Sequence, residues 1–180
     1  FTQTENSALK SFFDLAQEFD NIEDFNNLCV AIPKTFFNVE ACLYLFDLKL
    51  NNMTLAAMTE ERGPELHSVP PEDVKPSEDP YYTPRNSLIL TIRGKEPLIE
   101  QLPFEIHDDV LGFLEIYPGD KIDKHLGFFL QKYANRIGFN IHNRFLVKKN
   151  LEHLRFIRSL VADIEHNIIV PNMVYKLFLR

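Results

Sequence analysis

A helix too long for the domain it belongs to is the strongest constraint in this sequence. Apolar residues recur at Leu126, Leu130, Tyr133, Ile137, Ile141 and Phe145, then at Val147, Leu151, Leu154, Val161, Ile164 and Ile168. Steps of three and four residues mark one face of a helix. The acidic residues of the Asp120–Asp123 stretch can cap its start. From residue 121 to 170 such a helix is roughly 75 Å long at about 1.5 Å per residue. A compact domain of this size is only about 30–40 Å across. The far half must leave the body. Alone in water its apolar stripe would stay wet, so it is expected to pair with a second copy as a parallel coiled coil. Folding back as a hairpin within a longer parent chain is the alternative. From Val147 onward the steps are four and three, a heptad-like seam interrupted by Arg158.

Charge divides the chain at the same place. The net charge is −7 overall, but residues 1–146 carry −10 and residues 147–180 carry +3. An acidic body argues against nucleic acid as the main partner. No apolar run approaches the roughly 20 residues of a membrane span, and the sequence contains no charged-then-apolar pattern of a signal peptide. Two cysteines, Cys29 and Cys42, are too few for a disulfide framework or a zinc site; they read as buried hydrophobes in a reducing cytoplasm. The chain starts at Phe1 and stops at Arg180 inside a helical pattern, and reads as a piece of something longer.

The body begins with two amphipathic helices, one over residues 4–20 and one from about Ile22, which Pro33 is expected to kink or end. The period then changes to two. Val39 to Leu50 and Met53 to Thr59 read as a hairpin around Asn51-Asn52. Residues 60–86 hold six prolines and no apolar period, the texture of a lid or binding loop or, equally, of a floppy solvated insertion. Further strands are expected over Ser87–Arg93, Leu98–Ile106 and Val110–Tyr117.

The six glycines are scattered, no two closer than seven residues. A backbone that cradles phosphates needs them clustered, so the sequence holds no Walker loop, dinucleotide fingerprint or glycine-rich ATP lid. Among the six histidines, His67, His107, His125, His142 and His153 lack the spacing of a metal or catalytic motif. His166 differs. It lies on the amphipathic helix in the run Asp163-Ile164-Glu165-His166-Asn167-Ile168-Ile169-Val170-Pro171. A proline inside a helical pattern costs about 3 kcal/mol or more, which sets this turn apart.

The order of elements over residues 1–146 resembles a GAF domain. The stretch from Leu102 to Leu154 carries most of the likeness, with Leu111-Gly112-Phe113-Leu114 in the second strand of the last hairpin. The two leading helices and Ala41-Cys42-Leu43-Tyr44-Leu45-Phe46-Asp47 fit as well. Residues 147–180 resemble the linker and first helix of a histidine-kinase dimerisation and phosphotransfer domain. There His166 and Pro171 match the phospho-acceptor box His-x-x-x-x-Pro.

The resemblance implies an α+β fold: an antiparallel sheet of about five or six strands flanked by helices, then a long dimerising helix. It implies a cytoplasmic sensor histidine kinase. His166 would take the γ-phosphoryl group of ATP, held with Mg in a separate catalytic domain, and pass it to the receiver domain of a response regulator. This piece would hold no cofactor and catalyse nothing by itself. The family's residue after the histidine is usually acidic and orients the ring; here it is Asn167. The residue before the proline is usually Thr or Asn; here it is Val170. Asp163, three residues before His166, is expected to share its helix face and replace the orienting carboxylate.

GAF domains often bind small molecules between sheet and lid. Tyr81, Tyr82 and Arg85 from the lid, with Tyr44 or Phe46 from a central strand, would make an aromatic pocket with one cation for a small anionic or aromatic ligand. Core packing explains Tyr44 and Phe46 equally well. The family's cyclic-nucleotide, bilin and methionine-sulfoxide reductase signatures are not found. A non-catalytic GAF dimer module with an idle His166 is the competing reading. A free-standing GAF enzyme is disfavoured by the cysteine count and the long tail.

Overall fold

The structure is a computed structural model and describes residues 1–47, 50, 52–59, 70–94, 110–169 and 172. The expected strand over 98–106, with His67, His107, Val170 and Pro171, lies outside them.

Helix α1 (Gln3–Glu18) opens on a capping box. The Glu5 amide donates to Thr2 Oγ1 at 3.2 Å, and the Thr2 amide donates to Glu5 Oε2 at 2.7 Å. Helix α2 (Ile22–Phe37) starts at Asn21 and ends at Asn38, which adopts the left-handed conformation that closes many helices. Strands β1 (Glu40–Asp47) and β2 (Asn52–Met58) form the expected hairpin. The proline-rich stretch supplies a short strand, β3 (Tyr81–Tyr82). Strands β4 (Leu88–Arg93) and β5 (Val110–Tyr117) follow, and helix α3 (Lys124–Ile164) completes the body. Asp123 caps α3, accepting from the Leu126 amide at 2.7 Å.

The sheet is antiparallel, in the order β2-β1-β5-β4-β3. Helices α2 and α3 cover one face, and α1 packs on them. Leu43, Leu88, Leu90, Ile92, Leu114 and Ile116 point into that layer and meet Phe12, Phe25, Phe129 and Tyr133. The Phe12 and Tyr133 rings meet edge to face, 5.0 Å apart.

Pro33 does not end α2; the helix runs on to Phe37. A proline at position 33 has no N–H for the carbonyl of Cys29, four residues earlier. That carbonyl accepts from the Tyr133 hydroxyl instead, at 3.0 Å and fully buried. The partner arrives from α3, over a hundred residues away, so no local pattern announces it. Tyr133→Phe should therefore cost about 1–3 kcal/mol, the penalty for a buried unsatisfied carbonyl. Urea denaturation checks this. The cost should shrink in a Pro33→Ala background, where residue 33 supplies its own N–H; an equal cost in both backgrounds would refute the assignment.

Arg144 ties the other end of α1 to α3. Its Nη2 donates to the carbonyls of Ala16 (2.7 Å) and Phe19 (2.6 Å), and its guanidinium stacks 4.5 Å from the Phe25 ring. A cation at a helix C-terminus complements the helix dipole there. The fixing point lies three residues before α3 leaves the body. From residue 147 to 168 every residue is exposed, while residues 141–146 are buried or half-buried. Burial changes at this point within one continuous helix; secondary structure does not.

Candidate functional site

Two regions carry chemistry: the sheet face opposite the helices, and the emergent end of α3.

Alternation along the strands sends Cys42 and Tyr44 of β1, Ile89 of β4, and Val110 and Phe113 of β5 to the face away from the helices, where they form a second apolar cluster. Phe46, two residues beyond Tyr44, shares that face. Leu111 is an extra residue in β5: Ile92 pairs with Gly112 and Arg93 with Val110. This bulge reverses the phase of β5, so Val110 joins the second cluster while Leu111 joins the main core.

Residues 70–80 run over this cluster as a strap. Val74 packs against it, beside Tyr81. The Ser77 amide donates to Thr91 Oγ1 at 3.1 Å. The Tyr81 hydroxyl accepts from the Lys75 amide at 2.6 Å and donates to the Lys75 carbonyl at 2.8 Å. Burial pushes the Tyr81 phenol above its ordinary pKa, which keeps it a donor. Arg85 meets Asp73 of the strap twice, Nη2 to Oδ1 at 3.0 Å and Nε to Oδ2 at 3.3 Å. Its Nη2 also lies 3.5 Å from Oε1 of Glu115, whose side chain is fully buried.

Of the residues expected in a pocket, Tyr44, Tyr81 and Arg85 are thus brought to one face, and Phe46 to its edge. Tyr82 turns the other way. It pairs with Leu88 of the main core, and its hydroxyl donates to the Ile122 carbonyl at 2.9 Å. The two-residue period of a strand separates neighbours Tyr81 and Tyr82 onto opposite faces. Glu115 and Asp73 were missed. A signal existed for Glu115: counted from Phe113, a carboxylate occupies an inward position of an otherwise apolar strand. Nothing in the sequence marks Asp73.

Cys29 belongs to neither region. It is buried among the helices, and burial raises its thiol pKa far above the ordinary value, so it stays a thiol. Among the described residues no cluster of His, Cys, Asp and Glu could hold a metal ion. Two histidines have tertiary roles. His125 Nδ1 lies 3.1 Å from Oε1 of buried Glu5, and His142 is wholly buried on α3.

On the emergent helix, Val147, Leu154, Val161 and Ile168 repeat every seven residues, with Ile157 and Ile164 in a second column, all of them exposed. Ile157 takes the three-residue step from Leu154, so the seam continues past Arg158, which lies beside it. A groove between the α1–α2 corner and α3, lined in part by Phe19, Ile22, Val147 and Leu151, opens at the base of this seam.

The helix leaves α geometry at Glu165 and continues as a π turn over Glu165–Ile169. His166 and Asn167 lie exposed in that turn, with His166 Nδ1 3.4 Å from Asn167 Oδ1. Asp163 is exposed in the last α turn before it. A wider turn rotates less per residue, so the step from Asp163 to His166 falls further short of a full turn than in an α-helix.

No family model and no curated protein matches this chain. Solved structures do. The GAF domain of "a putative sensor histidine kinase from Pseudomonas syringae pv. tomato" superposes with a TM-score of 0.50 at 18% identity, covering 89% of this chain and 95% of that one. The GAF domain from Acinetobacter phosphoenolpyruvate-protein phosphotransferase superposes with a TM-score of 0.56 at 14% identity, covering 83% and 99%. At these identities the likeness is one of fold.

Proposed function

With a GAF-like α+β fold as the premise, we propose that the chain is the sensory input and phospho-acceptor portion of a cytoplasmic sensor histidine kinase. The observation that carries this reading is the continuity of α3. One helix packs on the sensory body through Gly138 and Arg144, emerges as an exposed heptad seam, and ends in an exposed histidine. No described helix is long and apolar enough to cross a membrane. Two copies pair along the seam as a parallel coiled coil, and the strap-covered face binds the ligand. Ligand prefers one packing of the paired helices, and that packing sets the position of His166.

At the histidine, a proton on Nδ1 shared with Asn167 Oδ1 leaves the Nε2 lone pair free. Nε2 attacks the γ-phosphorus of ATP, held with Mg on a separate catalytic domain, and ADP departs as the P–O bond breaks. The phosphoryl group then passes to an aspartate of a response-regulator receiver. Asn167 orients the ring in place of the usual carboxylate, through the 3.4 Å contact of its Oδ1 with Nδ1. An amide accepts no proton, and this favours the second reading, a non-catalytic dimer module.

Incubating the full-length protein with γ-labelled ATP separates the two. The expected result is acid-labile label that disappears in His166→Gln and persists at a third or more of its rate in Asp163→Asn. No label, or label retained in His166→Gln, would overturn the phospho-acceptor role.

A further inference from the structure

The strap already fills the face it covers. Val74 lies on the apolar floor formed by Cys42, Tyr44, Ile89 and Phe113. Next to it, Asp73 Oδ2 accepts a hydrogen bond from Arg85 Nε at 3.3 Å, and its Oδ1 makes an ion-pair contact with Nη2 at 3.0 Å. Among the described residues the buried Nη2 completes no hydrogen bond, so the guanidinium keeps a donor for a better-aligned free carboxylate. Glu115, fully buried and 3.5 Å from the same guanidinium, holds Arg85 from beneath. The attraction of this buried carboxylate keeps the cation at the site when Asp73 leaves.

The geometry points to Asp73 and Val74 as a built-in competitor for a small monocarboxylate with a branched or aromatic body. The ligand's carboxylate takes the place of Asp73 on Arg85, and its apolar body takes the place of Val74 on the floor. The inference rests on the reading of this face as the sensory site, and it names the ligand class. A monocarboxylate in place of Asp73 leaves the charge around Arg85 and Glu115 as it is, whereas a dianion such as phosphate would add further negative charge beside a buried carboxylate. The short anchors of the strap lie just after the competitor, at Lys75 and Ser77; the Tyr81 hydroxyl also reaches the Asp73 carbonyl, at 3.4 Å, and that longer contact breaks when the segment moves. The Val74 amide closes a turn onto the Pro71 carbonyl at 2.9 Å. Residues 71–74 can thus swing out as a unit about the fixed Lys75–Ser77 segment. A self-filled site binds more weakly in proportion to the time it stands open.

The test titrates the whole chain with isobutyrate, benzoate and inorganic phosphate, following the amide NMR signals of Ile89, Thr91 and Phe113. Asp73→Ala should bind one of the two carboxylates at least about tenfold more tightly than the unaltered chain, as expected if the strap fills the site nine-tenths of the time. Asp73→Asn, which keeps the side-chain volume, should show the same gain, and a dispersed spectrum establishes that each variant is folded. Adding Arg85→Gln should abolish the gain. No gain in either Asp73 variant, a gain that survives Arg85→Gln, or preferential binding of phosphate would overturn the inference. Crosslinking along residues 147–164 is read in the same samples. Tighter carboxylate binding with an unchanged crosslinking pattern upholds the inference and removes the sensory reading.

Discussion

Gly138→Ala should lower the stability of this chain by about 3 kcal/mol, at the upper end of what overpacking costs. Gly138 is where α3 presses on the sheet. A methyl group added there would run into the backbone carbonyl oxygen of Arg93 and come within 3.2 Å of Ile92 Cγ2. A side chain can swing aside; a carbonyl at the end of a paired strand moves only with its strand. For a domain of this size the expected fall in melting temperature is roughly 6–12 °C. Gly127→Ala on the same helix is the control. Its new methyl would meet nothing closer than 3.9 Å, so the gain in helix propensity should dominate and stabilise the chain by up to about 1 kcal/mol. Thermal unfolding of both variants decides the matter: a Gly138→Ala chain that melts within about 2 °C of the parent would mean that α3 does not sit this close to β4. Strand β4 carries Ile89 and Thr91 on the strap side and Leu90 and Ile92 on the helix side, so the Gly138 contact joins the strand under the strap to the helix that emerges from the body.

Val161→Asp should weaken self-association by at least about a hundredfold, or about 2.7 kcal/mol. Val161 lies in the middle of the seam. In a parallel pair it faces its own copy, so the substitution buries two like charges against each other, which Arg158 beside the seam offsets only in part. Phe156→Asp is the contrasting case. Phe156 is 60% exposed and falls on the side of the helix away from the Leu154–Ile157–Val161 seam. Its replacement should leave the association constant within about threefold. Sedimentation equilibrium over a wide concentration range reads both. Equal weakening by the two substitutions would refute the parallel register. A parent chain that stays monomeric throughout the range would remove the paired-helix picture altogether.

Much of the architecture was legible because it depends on local periods. The change from steps of three and four to steps of two located α1, α2, β1, β2, β4 and β5 within a few residues. The excess length of α3 announced that its far half leaves the body, and residue 147 is where exposure begins. Strand β3 was not legible. Two tyrosines in a proline-rich loop carry no period, and only pairing with Leu88 and Ile89 makes them a strand. That α2 continues past Pro33 was not legible for a similar reason: the local rule is sound, but the Tyr133 hydroxyl satisfies the freed carbonyl from a distant helix. In the candidate site, residue types pointed to Tyr44, Tyr81 and Arg85. They did not separate Tyr81 from Tyr82, which strand alternation sends to opposite faces, nor did they find Asp73.

The sequence alone determined which segments coil, which extend, and that one helix outruns its domain. These follow from short-range sterics and from the match between apolar spacing and helical or strand geometry. Only the tertiary structure decided how Arg85 is shared between Asp73 and Glu115, which carbonyl Tyr133 satisfies, and how the bulge at Leu111 turns Val110 toward the strap. Those are choices among partners far apart in the chain, and partner choice is a property of packing that no local pattern encodes.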